Sequence, residues 1–357
     1  MYDMDAIARL LDDALASGLG SAAAVSVGDA GIEVFRHVAG HTRRLPDLGE
    51  RITEHTPFDV ASLSKPMATV ALAMVLVGDG QLDLAAPVRA YIPDAATTGT
   101  VRQLLGHSAG CAAHVEFFRR LRAERPADPR ARLVSLASRE EAGPPGVNAV
   151  YSDLGFIVLG AALEAAGGAR LDAQFAQRIA GPLGLSARYG PAAGAVATEL
   201  DERGLVCGVV HDENAYEGGG VLGHAGLFAS LDDVARFAQA IVAASAPFDR
   251  EVVARFFRDA PLPRASWRLG WDTPSHTPGV SAAGDRWPRD GAVGHMGFTG
   301  TSIWLDVPRR RWVVLLTNRV HPTRFAGTAD RIKALRRAVH DAVVDVLPSR
   351  VLAPLGP

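Results

Sequence analysis

The sequence predicts an α+β fold for this 357-residue chain. An antiparallel sheet is assembled from the N- and C-terminal segments and flanked by helices, with a mainly helical region inserted between them. Three observations predict this. Strand-like runs occur near both ends of the chain, the stretch from about Gln81 to Asp259 is mainly helical in pattern, and a helix opens and closes the sequence. The expected division is residues 1–80 with 260–357 as a sheet domain and 81–259 as a mainly helical domain, with an active site at their interface.

The elements follow in order. Ile7, Leu10, Leu11 and Leu15 lie at helical spacing within Met1–Gly18, and Asp3, Asp5, Asp12 and Asp13 make that helix amphipathic and acidic rather than a basic, apolar signal peptide. Read as starting at Met1, the protein is expected to be cytoplasmic, or periplasmic if a leader has been removed. Two strands, Ala22–Val27 and Ile32–Val38, are split by the hairpin signal Gly28-Asp29-Ala30-Gly31. Thr56–Ala61 reads as an extended run entering a turn. The apolar run Met67–Val77 stops at Gly78-Asp79-Gly80, and Pro66 is tolerated in a first helical turn, where its missing N–H would have no partner. The uncharged stretch Pro66–Gly78 is too short to span a bilayer, so a buried core helix is expected. Asp153 is suited to cap the apolar helix that begins at Leu154. Strands are expected again at Arg268–Asp272, Thr301–Asp306 and Trp312–Thr317, and a last helix from about Ala329 to Leu347.

Composition excludes several classes. Apolar residues make up 48% and charged residues 21%, the balance of an ordinary soluble globular protein. A net charge of −2 with scattered basic residues leaves no electrostatic footprint for nucleic acid. Cys111 and Cys207 are too few and too far apart for a disulfide framework or a zinc site. No cofactor and no membrane span are expected, and the sequence leaves the oligomeric state open.

Lysine use points to chemistry. Of 37 basic side chains only Lys65 and Lys333 are lysines, so nearly every positive charge is an arginine. Lys65 stands three residues after Ser62, in Ser62-Leu63-Ser64-Lys65. A guanidinium stays protonated near neutral pH, whereas a half-buried ammonium can lose its proton and act as a base. Residues i and i+3 share one helix face. A serine nucleophile with an amine base needs that pairing, and a helix N-terminus favours a developing oxyanion.

Two further constellations follow. Val150-Tyr151-Ser152-Asp153 precedes an apolar helix, and Gly294-His295-Met296-Gly297-Phe298-Thr299-Gly300 precedes a strand. The ordered set S-x-x-K, Y-x-[ND], [KH]-x-G resembles the serine β-lactamase and penicillin-binding-protein superfamily. The likeness is greatest to its class-C-like branch, which includes esterases, D-amino-acid peptidases and muropeptide amidases. Phe58–Ser62 and Gln103–Gly110 add to it, and it covers most of the chain. It implies a β-lactamase/transpeptidase-like fold, acylation of Ser62, and base and acid roles shared by Lys65 and Tyr151, with Tyr151 held towards phenolate. It also implies an oxyanion hole from the backbone N–H groups of Ser62 and Phe298.

The departures bear on substrate. His295 stands where many relatives carry Lys, and imidazole offers a substrate carboxylate a weaker, pH-dependent contact. Asp153 replaces the usual Asn and cannot donate to a substrate carbonyl. It is expected to pair with Lys65, or to attract a substrate ammonium. Gly297 lies beside them in the third motif. In the stretch Val209–Phe228, His211, Asp212 and His224 could ligate a metal, but their spacing matches no zinc signature. Either His224 or Asp212 lines the pocket beside a glycine loop, or His211-Asp212-Glu213-Asn214 is a turn braced by hydrogen bonds. The expected function is hydrolysis of a small ester, amide or peptide through an acyl-enzyme on Ser62, carboxylesterase-like or as a cell-wall-fragment amidase or D-peptidase. The alternatives are a β-lactamase or D-Ala carboxypeptidase, and a non-catalytic binding or scaffold protein.

Overall fold

A computed structural model describes residues 4–347, so the first three residues of the expected opening helix lie outside it. The main sheet has five antiparallel strands in the spatial order Ile32–Gly40, Ala22–Asp29, Arg311–Thr317, Ser302–Asp306, Ala292–Met296. The segment after the first helix therefore pairs with the segment before the last one. Ala23 sits opposite Thr317 and Gly28 opposite Trp312.

Side-chain alternation gives this sheet two buried faces. Val25, Val27, Val313, Leu315 and Trp304 meet the apolar stripes of the first helix, Asp5–Ala16, and the last, Thr328–Val346. Ala22, Ala24, Val314, Leu316 and Ile303 point the other way, into the large core shared with the helical region. The strand Arg311–Thr317 is buried along its whole length.

The helix carrying Lys65 is driven through that larger core. It opens with a 3₁₀ turn at Ala61–Leu63, widens to π geometry over Lys65–Val70 and tightens to α over Ala71–Gly78. By length and hydropathy, residues 61–78 could cross a bilayer. With 78% of that window buried inside the protein, it is a core helix. Asp153–Gly167 packs beside it.

Two expectations need correction. Arg268–Asp272 is not a strand: Gly270 takes φ +81° and packs on Val70, and only Asp272 bridges to Gly294. Ala292–Met296 is the fifth strand instead. Gly294 leaves room there for Trp304, whose ring would lie 2.2 Å from an added Cβ. The cap of the Asp153–Gly167 helix is Ser152, whose hydroxyl accepts from Gly155 N–H at 2.8 Å. Asp153 is the first helical residue, which frees its carboxylate to face Lys65.

Candidate active site

Ser62 is placed by its neighbours in sequence. Ala61 adopts a left-handed φ of +49°, held by Asp59, whose carboxylate accepts from Ala61 N–H at 2.8 Å and from His211 N–H at 2.7 Å. The hairpin tip after Met296 is tied to the same segment. Thr299 donates to the Asp59 carbonyl and Thr301 to the Val60 carbonyl, each at 2.9 Å. Gly297 is required at this approach, because a Cβ would lie 2.0 Å from Thr301 Oγ1 and 2.5 Å from the Val60 carbonyl. Ser62, Gly297 and Phe298 thus line one cavity of about 570 Å³, together with Tyr151, Asp153 and His295. That size suits a small-molecule ligand.

Lys65 is fully buried, and its ammonium has three acceptors. It donates to Ser62 Oγ at 3.0 Å, to Asp153 Oδ1 at 2.7 Å and to the His224 carbonyl at 3.1 Å. Burial works against the charge, but the Asp153 carboxylate and the Tyr151 oxygen outweigh it and raise the Lys65 pKa. The same charge holds the Asp153 carboxyl far below the usual range, although burial alone would raise it. Tyr151 faces both Lys65 and Ser62, and its ring centroid lies 4.9 Å from Nζ. Burial raises the phenol more than Lys65 lowers it. The resting site therefore holds an ammonium, a carboxylate and a neutral phenol, so the expected resting phenolate is corrected.

His295 is 2% exposed, with Nδ1 3.0 Å from the Met296 carbonyl. Burial and the nearby Lys65 charge push its pKa down to about 3. It is a neutral ring through the whole physiological range, so the pH-dependent carboxylate contact expected of it is also corrected.

In the stretch from His211 to His224, the pocket-lining and bracing readings hold together. Asp212 caps the short helix Glu213–Glu217, and its carboxylate lies 3.0 Å from His224 Nε2. Asn214 accepts from Phe118 N–H and donates to the Val115 carbonyl, each at 2.8 Å. His211 pairs with Glu199 at 2.7 Å and stacks on Phe298. Both histidines and Asp212 line the cavity. It is the His224 carbonyl, on the loop after Gly223, that meets Lys65; a Cβ at Gly223 would lie 2.1 Å from the Phe156 carbonyl. Among the described residues, no three His, Cys, Asp or Glu side chains are grouped to hold a metal.

The structure adds residues not singled out in the sequence. His107, at a left-handed φ of +54°, accepts Ser152 N–H on Nδ1 at 3.1 Å, and its ring lies 4.8 Å from Tyr151 and 4.4 Å from Trp267. His114 lies 3.6 Å from Asp153. Arg319 and Arg336 stand behind the hairpin tip. A histidine in Gly106-His107-Ser108 was visible as motif text, but nothing in the spacing assigned the two arginines.

The sequence profile named Beta-lactamase matches residues 7–338. The chain belongs to the beta-lactamase family. A relative from Salmonella agona (strain SL483), named putative D-alanyl-D-alanine carboxypeptidase, is 30% identical over 312 residues, 75% of this chain and 71% of its own. The beta-lactamase-family fold is shared with EstCE1, described as a hydrolase with promiscuous acyltransferase activity. Its TM-score is 0.72 at 21% identity, covering 95% of this chain and 98% of that one. Simvastatin synthase from Aspergillus terreus superposes with TM-score 0.73 at 16% identity, covering 95% and 97%. By family the chain is a hydrolase of the serine β-lactamase type.

Proposed function

We propose that this protein cleaves a small ester or amide through an acyl-enzyme on Ser62. The observation that carries the reading is the buried Lys65 ammonium 3.0 Å from Ser62 Oγ, with Tyr151 facing both. Ser62 Oγ attacks the substrate carbonyl and passes its proton to the Lys65–Tyr151 pair. The carbonyl oxygen takes the negative charge opposite the N–H groups of Ser62 and Phe298. Collapse breaks the bond to the leaving group, which takes the proton back from the pair, and water then releases the acyl group by the same route. Because Lys65 and Tyr151 are both protonated at rest, the pair must first lose one proton.

Substrate class follows from charge. Neutral His295 supplies no cation of its own for a substrate carboxylate at the third motif, although Arg319, Arg324 and Lys333 line the same cavity. This favours short esters and uncharged amides over penicillins and cephalosporins. A second reading, D-alanyl carboxypeptidase, has in its favour the name of the Salmonella relative and Lys333 at the cavity wall. The test is a fluorophosphonate label followed by turnover of p-nitrophenyl esters, a chromogenic cephalosporin, D-amino-acid amides and D-Ala-D-Ala peptides. Ser62 should be the labelled residue, Ser62→Ala should lose labelling and turnover, and the ester should be the fastest substrate. Labelling of Ser64, or turnover surviving in Ser62→Ala, overturns the reading.

A further inference from the structure

Arg336 and Arg319 occupy a position that the proposed chemistry does not use. Arg336 rises from the last helix, is 5% exposed and forms no ion pair among the described residues. Its Nη2 donates to the Gly297 carbonyl at 3.0 Å and to the Thr301 carbonyl at 2.8 Å, and its Nε is buried without a partner. Arg319, 7% exposed, donates from Nε to the Phe298 carbonyl at 2.9 Å and also forms no ion pair among the described residues. Two cations are thus buried behind one hairpin tip and directed mainly at main-chain carbonyls, with Met296 Sδ beside Arg336 and Thr328 Oγ1 and the Phe298 ring beside Arg319. Burying a charge without a counter-charge is costly, so the arrangement needs a reason.

The reason lies in the peptide between Gly297 and Phe298. In a trans peptide the C=O and the following N–H point in opposite directions. Arg336 grips the Gly297 oxygen from the side of the last helix, which turns the Phe298 N–H away from that helix. A charged donor on a carbonyl also polarises the whole amide and strengthens its N–H as a donor. Arg319 does the same to the next carbonyl along. We infer that Arg336, assisted by Arg319, is a positioning residue for the oxyanion hole. It fixes and polarises the Gly297–Phe298 peptide and places an uncompensated positive charge behind the spot where negative charge develops.

This rests on the assignment of Ser62 as nucleophile and Phe298 N–H as an oxyanion donor. An arrangement of this kind acts on the transition state more than on the bound substrate, so it should appear in kcat and not in KM. Burial lowers the Arg336 pKa, yet a guanidinium, with its charge delocalised over three nitrogens, keeps its proton well above the pH at which a buried amine loses it, so Arg336 stays charged from pH 6.5 to 9.5. A lysine in its place, equally without a carboxylate, would lose its proton at lower pH than an exposed lysine.

The experiment compares the wild type with Arg336→Lys, Arg336→Met and Arg319→Met, using p-nitrophenyl butyrate turnover and inhibition by a boronic acid. The boronic acid forms a tetrahedral adduct on a nucleophilic serine. Arg336→Met should lower kcat roughly thirtyfold, less than loss of a hole donor itself, with KM within about threefold and boronate affinity falling in proportion to kcat. Arg319→Met should show a smaller loss with the same split. Arg336→Lys should match the wild type within about threefold at pH 6.5, and its rate relative to wild type should fall about tenfold by pH 9.5. That pH-dependent ratio separates charge from packing, and it is readable even if Arg336→Met does not fold. Unchanged kcat in folded Arg336→Met, or a flat Arg336→Lys ratio across this range, overturns the inference. Ser62→Ala in parallel keeps the two ideas apart: residual turnover there would remove the nucleophile assignment itself.

Discussion

At the scale of single residues, the site is a matter of where the protons of Lys65 and Tyr151 sit. Lys65 holds its protons against Ser62, Asp153 and the His224 carbonyl, and Tyr151 keeps its own. Both pKa values are raised, so the form able to accept the Ser62 proton grows as pH rises. The rate should therefore climb above neutrality, with an apparent pKa that belongs to the pair and not to either residue. Lys65→Arg keeps the charge and the ion pair with Asp153 but removes a titratable amine. Its rate should fall at least about a hundredfold and lose most of the alkaline rise. A near-normal rate with the wild-type pH profile would leave Tyr151 as the sole base. This layer was legible in the sequence, because Ser62 with Lys65 and Tyr151 with Asp153 are each set by local spacing. His107 showed only as motif text without a role, and Arg319 and Arg336 did not show at all. Their partners are the Ser152 N–H and the Phe298 and Gly297 carbonyls, and no residue-type pattern encodes a bond to a distant main chain.

At the scale of elements, two segments meet at Ser62: the turn over Asp59–Leu63 and the hairpin tip over Gly297–Thr301. Their approach depends on Thr299 and Thr301 hydroxyls and on the missing side chain at Gly297. Gly297→Ala places a methyl against Val60 and Thr301, so the tip must back away and the two oxyanion N–H groups separate. The expected outcome is a fall in kcat of about a hundredfold with a small drop in melting temperature, followed by steady-state kinetics and calorimetry. The expected strand at Arg268–Asp272 shows where pattern reading fails. Leu269 and Trp271 are both buried, yet Gly270 bends the run onto Val70. Ala292–Met296 carried a weaker strand signal because Gly294 lacks a side chain, and that lack is what lets Trp304 cover it.

At the scale of the whole molecule, the interior holds imidazoles that cannot easily charge. Burial lowers the pKa of His107, His295 and His340, the last two to about 3 and about 4. Above the ordinary histidine value of ~6.5 these rings are neutral in folded and unfolded chain alike. Below it the unfolded chain takes up protons that the fold refuses, so stability falls as pH drops from there towards the folded values. Each ring contributes at most ~1.4 kcal/mol per pH unit in that window. Asp59, Asp272 and Asp306, raised by burial, oppose this at lower pH. The melting temperature should therefore fall by several degrees between pH 7 and pH 5 and recover on return to pH 7. A flat profile over that range would mean the buried rings do not govern acid sensitivity.

The pairing of Ala22–Asp29 with Arg311–Thr317 also sets an order of events during synthesis. The strand Ala22–Asp29 lacks its central neighbour until almost 300 further residues have emerged, as counted from Asp29 to Thr317. Until then only one of its edges is paired, with the hairpin partner Ile32–Gly40, and the edge that awaits Arg311–Thr317 stays open. The helical region contributes most of the large shared core and can begin to collapse during that interval, whereas the sheet face that completes this core has to wait. A nascent chain stalled before residue 311 would present an open β edge to chaperones and to other nascent chains, and no truncation from that side could keep both halves of the pocket.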